Sequence, residues 1–321
     1  MNSKMNKLLN KGWFLALIFL GPAFLFLMVF KIIPIIYALI ISMSDYEFKF
    51  SGIVWFKNYI LVFKDAKFWQ ALVNTFWYVC LSIPLTLVIS LFFAVLLNLG
   101  IKARSFFRTS YFLPYITSMV AAAIVWKALY HPTDGGVINS ILGIVNINPL
   151  LWLEEPRGIF NMMFNLNLPG ALGGPSLALF AIILFSAWKV MGYQVVILLA
   201  GLQNVPHELY EAARIDGANR IQQFFKITLP LLTPTLYFLV ITSTIFSFRV
   251  FAPIYMMTGG EAGGAPDGTT LVTAFYMYQW AFAPGYNDFG YAASMAFILF
   301  FIILAFTWVQ RKFSEKKIHY Q

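Results

Sequence analysis

Residues 210–234 read YEAARIDGANRIQQFFKITLPLLTP, a charge-bearing amphipathic run between long apolar segments. How this run folds decides what the segments around it are for. Asn204 can cap a helix, Pro206 fits its first turn, and Glu208 and Glu211 lie near the positive end of its dipole. Gly217 admits the left-handed conformation that ends a helix and turns the chain. A second short helix, over about 219–227, then leads to Pro230. On the first helix Tyr210, Ala213 and Gly217 share a face, with Leu209 and Ala212 beside it, and Glu211 can pair with Arg214 three residues on. Two readings stand: a compact helix that docks in a groove on a soluble partner, or a solvated helix lying on a membrane surface.

Composition chooses the medium. The chain has 321 residues, of which 60% are hydrophobic and 11% charged, whereas globular chains carry about 25% charged residues. That leaves too little polar surface for a water-exposed body, so lipid is the solvent for most of the chain. Six segments are long and apolar enough to cross a bilayer as helices: about 13–42, 70–97, 109–130, 176–203, 231–257 and 288–310. Pro22, Pro34, Pro84, Pro114 and Pro253 fall inside them, where bundle neighbours can satisfy the freed carbonyls. The basic N-terminus resembles a signal peptide. Its apolar stretch runs past Lys31 to about Ile41 with no A-x-A site after it, so it reads as a retained first span.

The net charge of +9 is a topology signal rather than a nucleic-acid footprint. Thirteen Lys and Arg residues fall in the N-tail, the 98–108 loop, the 204–230 loop and the C-tail. The opposite side carries five, Lys49, Lys57, Lys64, Lys67 and Arg157, against nine acidic residues. Both termini and the opening run are therefore expected in the cytoplasm. The expected fold is an all-α, six-span single domain over 1–321, with no repeat and no second domain.

The run also carries a fixed pattern, E-A-A-x3-G-x9-I-x-L-P, complete at Glu211, Ala212, Ala213, Gly217, Ile227, Leu229 and Pro230. It resembles the cytoplasmic signature of the membrane subunits of ATP-binding-cassette importers. The resemblance extends nearly end to end, through GPAFLFLMVFKIIPIIYALIISMSDYEF at 21–48, FFRTSYFLPYITS at 106–118 and LLAGLQNVPHELYEAARIDGA at 198–218. These look like the first permease of carbohydrate importers of the maltose and glycerol-phosphate type, without the large extracytoplasmic domain of the maltose permease. The resemblance implies a type I permease fold in a bacterial inner membrane. It implies that 204–230 forms coupling helices seated in a cleft on an ATPase subunit. The implied partners are a second permease, two ATP-binding subunits that hold ATP and magnesium, and an extracytoplasmic solute-binding protein docked on the outer loops 43–69, 131–175 and 258–287.

The resemblance also places the family's sugar-binding positions on Tyr193, Ser243, Phe246, Ser247 and Val250. Tyr193, Ser243 and Phe246 keep suitable chemistry, while Ser247 and Val250 each replace a family asparagine. Charged residues inside spans are functional suspects. Lys127 lies close enough to a helix end to snorkel, whereas Lys189 and Arg249 do not. Either they line the path and favour an acidic saccharide or a glycerophosphate, or they pair with helix-end carbonyls or a partner's carboxylate.

Several functions find no support. No G-x4-G-K-[ST] occurs, so this chain does not cradle ATP by a P-loop. His131, His207 and His319 are scattered, and Cys80 is the only cysteine, so no metal site is expected and no disulfide can form within the chain. No catalytic constellation can be assembled. An ion-coupled secondary transporter would show an inverted repeat and acidic residues at mid-membrane, and no acidic residue lies clearly within the first five spans. The expectation is a permease subunit of an ATP-driven, binding-protein-dependent importer of sugars or oligosaccharides, with no cofactor of its own and no affinity for nucleic acid.

Overall fold

The computed structural model describes residues 12–47, 49–99, 104–133, 135–168, 170–259 and 264–314. Lys4, Lys7, Lys11, Lys102, Lys316, Lys317 and both chain ends, which entered the orientation argument, lie outside them. The chain divides into two packed units, Met1–Lys64 with Trp280–Phe297, and Asp65–Gln279 with Ile298–Gln321.

In the first unit, α1 (Gly12–Leu27) continues through a π-helical turn (Met28–Ile32) into α2 (Ile33–Ser42). Pro22 sits inside α1, and Pro34 lies two residues past the π-helical turn, where the widened turn accommodates its ring within one continuous helix. None of the most apolar window of Ile18–Ser42 is buried within the chain, which suits a helix solvated by hydrocarbon. An antiparallel hairpin follows, β1 (Ser44–Glu47) and β2 (Lys49–Ile53), the one departure from the all-helix expectation among the described residues. Asn58, on α3 (Lys57–Lys64), pins it to the end of α2 by donating to the carbonyls of Ser42 and Ser44 at 3.2 and 2.9 Å.

In the second unit, α4 (Ala66–Asn98) is capped by the Asp65 side chain, which accepts from Lys67 N. The segment expected as one span over 109–130 is instead two helices, α5 (Arg104–Ile116) and α6 (Met119–Leu129), bent by 98°. Two short helices in the following loop, α7 (Val137–Ile144) and α8 (Ile159–Phe164), precede α9 (Leu177–Gln203), which Ser176 caps by accepting from Leu179 N at 3.0 Å. The fifth expected span, 231–257, is likewise interrupted. α13 (Thr233–Phe248) stops, and α14 (Ala252–Thr258) restarts with Pro253 in its first turn, because that ring can begin a helix but not continue one. α15 (Thr273–Phe282) and α16 (Phe289–Ser314) complete the chain. Among the described residues four helices are long and apolar enough to span on their own, and up to six segments are if each bent pair counts as one.

The post of the second unit is α9. Of its most apolar window 61% is buried, against 28% for α4 and for α16. Lipid is as apolar as leucine, so helices associate here through close packing rather than water exclusion. Small residues and interdigitated leucines supply it: Ala94 and Leu97 of α4 meet Val195, Leu198 and Leu202 of α9 and Leu239 of α13. Gly192 allows the closest approach, since a Cβ there would overlap the carbonyl oxygen of Tyr111 on α5. At the other end of α13, Phe248 stands edge-on to Phe76 and Phe306, each at 5.4 Å.

Candidate functional site

The loop that decided the fold holds two helical rods. The first, α10 (His207–Ile215), begins one residue after Pro206, which is its N-cap. Asn204, expected there, instead closes α9 as its C-cap, because α9 runs on through Gln203. The second rod starts at α11 (Arg220–Gln223) with a reciprocal Asn219–Gln222 capping box. It continues as a π-helical stretch (Phe224–Thr228) and α12 (Leu229–Leu231) before a 63° bend into α13. It is therefore longer than the expected 219–227. Gly217 joins the rods at φ 79°, a left-handed value that a residue with a Cβ adopts only with strain.

Glu211, Ala212 and Gly217 are exposed on this elbow, and Ala213, Ile227, Leu229 and Pro230 are half-buried along it. The Tyr210 hydroxyl joins Thr228 Oγ1 at 2.9 Å and holds one rod on the other. Glu211 and Arg214 do not form the expected ion pair. Both side chains are exposed and without an ion-pair partner among the described residues, on a surface that also exposes Ile215 (87%) and Ile221 (70%). Two such isoleucines beside exposed charges are out of place against water alone.

Deeper in the unit, α4, α5, α9 and α13 enclose an open cavity of about 300 Å³, at the lower end of the range for small-molecule sites. Of the residues matched to sugar binding, Tyr193, Ser243, Phe246 and Ser247 line it. Tyr115 stacks on one face of Tyr193, with ring centroids 5.1 Å apart, while Phe246 is 70% exposed and presents a bare ring. Ser82 Oγ lies 3.4 Å from Ser247 Oγ, and Gln194 Nε2 donates to Ser243 Oγ at 3.0 Å. Among the described residues no charged side chain lines this cavity.

The other three residues lie elsewhere. Val250 is buried just past the end of α13. Lys189 is 5% exposed and donates to the carbonyls of Pro114, Tyr115 (3.1 Å) and Thr117 (2.7 Å), the freed end of α5 at its break. Of the two readings of this lysine, the structure has the pairing with helix-end carbonyls, where the dipole is negative. Arg249 forms the C-cap of α13, is exposed, and has no ion-pair or side-chain hydrogen-bond partner among the described residues.

Inspection of single spans missed Gln194, Tyr115, Ser82, Thr86 and Ser186, which also line the cavity. A helical-period scan for polar residues inside apolar spans would have flagged Ser82 with Thr86, and Ser186 with Tyr193. Tyr115 could not be found so, because its place in the lining comes from α5 packing on α9, a contact between separate segments.

A second cavity of about 540 Å³ opens among Trp69, Trp77, Arg157 and Asn161. Beside it the Arg157 guanidinium, 2.9 Å from Glu155, holds that carboxyl below its usual range.

A hydroxyl-lined cavity among apolar, span-length helices, joined to an exposed helical elbow, is the architecture of a membrane permease. The chain belongs to the family of binding-protein-dependent transport system inner membrane components, which residues 59–319 match. It is 37% identical over 309 residues, 94% of this chain and 91% of the relative, to the probable ABC transporter permease protein YesP of Bacillus subtilis. It is 32% identical to the trehalose/maltose transport system permease protein MalF of Thermococcus litoralis, over 97% of each chain. Its fold is shared with a chain of a bacterial alginate ABC transporter solved with an alginate pentasaccharide-bound periplasmic protein, at a TM-score of 0.73 and 21% identity, covering 97% of this chain and 96% of that one.

Proposed function

We propose that this permease moves a neutral saccharide through the cavity bounded by α4, α9 and α13, in an importer powered by separate ATPase subunits. The observation that carries the reading is the lining: aromatic faces at Tyr193 and Phe246 beside hydroxyls at Ser82, Ser243 and Ser247, with no fixed charge. Rings stack on the apolar faces of a pyranose while hydroxyls and amides satisfy its edge, the mixture that small polar ligands require. A relative named for trehalose and maltose supports the same class.

In this reading the elbow at 204–230 faces the cytoplasm, as do both chain ends, and six segments cross the bilayer. Glu211, Ala212 and Gly217, with Ile215 and Ile221 beside them, seat in an ATPase cleft, and ATP with magnesium binds there rather than on this chain. A second permease closes the open side of the cavity, and the loaded binding protein docks on the outer loops. Transport is alternating access, biased by nucleotide on one side and by the loaded binding protein on the other.

A second reading, of an acidic saccharide or a glycerophosphate, is favoured by Arg249, exposed and unpartnered one turn beyond Phe246. With Lys189 engaged at α5, Arg249 is the residue that carries it. The test is uptake and ATPase stimulation by the reconstituted complex, offered maltose, trehalose, lactose, a uronate trisaccharide and glycerol 3-phosphate. Uptake confined to the neutral sugars supports the first reading. Uptake of the uronate or the phosphate that falls in Arg249→Gln supports the second, and uptake of none of these solutes overturns both.

A further inference from the structure

We propose that Gln194 sets hydroxyl specificity: its Oε1 accepts a hydrogen bond from a hydroxyl of the transported saccharide, an inference that rests on the neutral-saccharide reading above. Gln194 is 2% exposed, lies on α9 one residue after Tyr193, and lines the cavity. Its Nε2 is committed to Ser243 Oγ at 3.0 Å, which fixes the amide plane. Its Oε1 is buried and has no hydrogen-bond partner. Buried amide oxygens are almost always satisfied, and an orphan has a reason.

An acceptor without a partner among the described residues, on a side chain that lines the cavity, is one that a ligand can complete. The polarity of the missing partner follows from the geometry. With the amide nitrogen engaged, the oxygen can only accept, so the ligand must bring an O–H. A saccharide hydroxyl does so, whereas a carboxylate or phosphate oxygen brings only lone pairs. An anion set against Gln194 would leave both oxygens unsatisfied beside each other. Gln194 thus selects for a donor at one defined position on the solute.

The experiment uses the reconstituted complex with whichever of maltose, trehalose and lactose it takes up best, together with the monodeoxy and monodeoxyfluoro derivatives of that sugar. Stranding a buried acceptor corresponds to about a 5- to 150-fold loss. One deoxy position is expected to raise KM by that factor, with its fluoro counterpart equally impaired because fluorine does not donate. Gln194→Met should erase this discrimination, accepting parent and analogue alike. Gln194→Glu, which in either protonation state can bond the Ser243 hydroxyl and offer an acceptor to the sugar, should retain it and shows that the site still folds. Undiminished discrimination in Gln194→Met would overturn the proposal while leaving saccharide transport intact. So would a fluoro derivative taken up like the parent, since that places the amide nitrogen, not the oxygen, in the cavity. Failure of every parent sugar in the unaltered complex would instead count against the saccharide reading itself.

Discussion

Replacing Lys189 by methionine removes the ammonium group but keeps most of the apolar stem, so the Tyr115 and Thr117 carbonyls at the end of α5 lose their donor, while the Pro114 carbonyl keeps the Thr117 hydroxyl. Each stranded carbonyl costs about 1–3 kcal/mol, roughly 2–6 in all. Removing a buried charge returns part of its own desolvation penalty, which offsets some of this. The net expectation is a loss of roughly 1–3 kcal/mol, concentrated where α5 breaks. Tyr115 lies in that stretch and stacks on Tyr193, so loosening the break disturbs the cavity wall as well as the fold. The assay pairs a thermal-unfolding midpoint of the purified complex with uptake kinetics. Lys189→Met should lower the midpoint and raise KM for every solute, neutral or acidic. Lys189→Arg, which keeps a cation at helix-end carbonyls, should recover part of both. Were Lys189→Met to lose uptake of anionic solutes alone, with its midpoint unmoved, the lysine would be a substrate ligand and the capping argument would be wrong.

Three further outcomes are expected. Gly192→Ala drives a methyl into the Tyr111 carbonyl, so α5 must move off α9; overpacking of this kind costs about 1–3 kcal/mol, read as a lower unfolding midpoint, and an unchanged midpoint would refute the close approach. Gly217→Val has free space around it but forces a β-branched residue to φ 79°, about 1–2 kcal/mol of strain; with Glu211→Arg it should abolish co-purification of the ATPase, and full recovery of the ATPase would sink the elbow's proposed role. Glu155 is held below its ordinary pKa by Arg157, so its contribution is present above the unfolded carboxyl value near about 4.3 and is lost as pH falls through the lower folded value; limited proteolysis of the 131–175 loop should quicken on acidification below pH ~4, and Glu155→Gln should cleave at pH 7 as the native chain does in acid.

Legibility followed the range of the interactions involved. The elbow was readable because its determinants are local: Pro206 opens the first rod, Gly217 turns the chain at a φ that side chains resist, and Asn219 with Gln222 restarts it. Even there the cap moved from Asn204 to Pro206, since α9 packs well enough to run on through Gln203. The two bent spans were not readable. Hydropathy is indifferent to direction, and 109–130 is as apolar as a straight span would be. The 98° bend is tolerable because Lys189, far along the chain, meets the carbonyls that it frees.

Lipid residence and the elbow were determined by the amino-acid sequence alone, because apolar length and local turn chemistry act over twenty residues or fewer. The cavity lined by Gln194, and the seat of Lys189 at the end of α5, were decided only by tertiary structure. A polar side chain in an apolar helix must find a partner, and whether that partner is a broken helix or an absent ligand depends on which backbones lie within 3 Å.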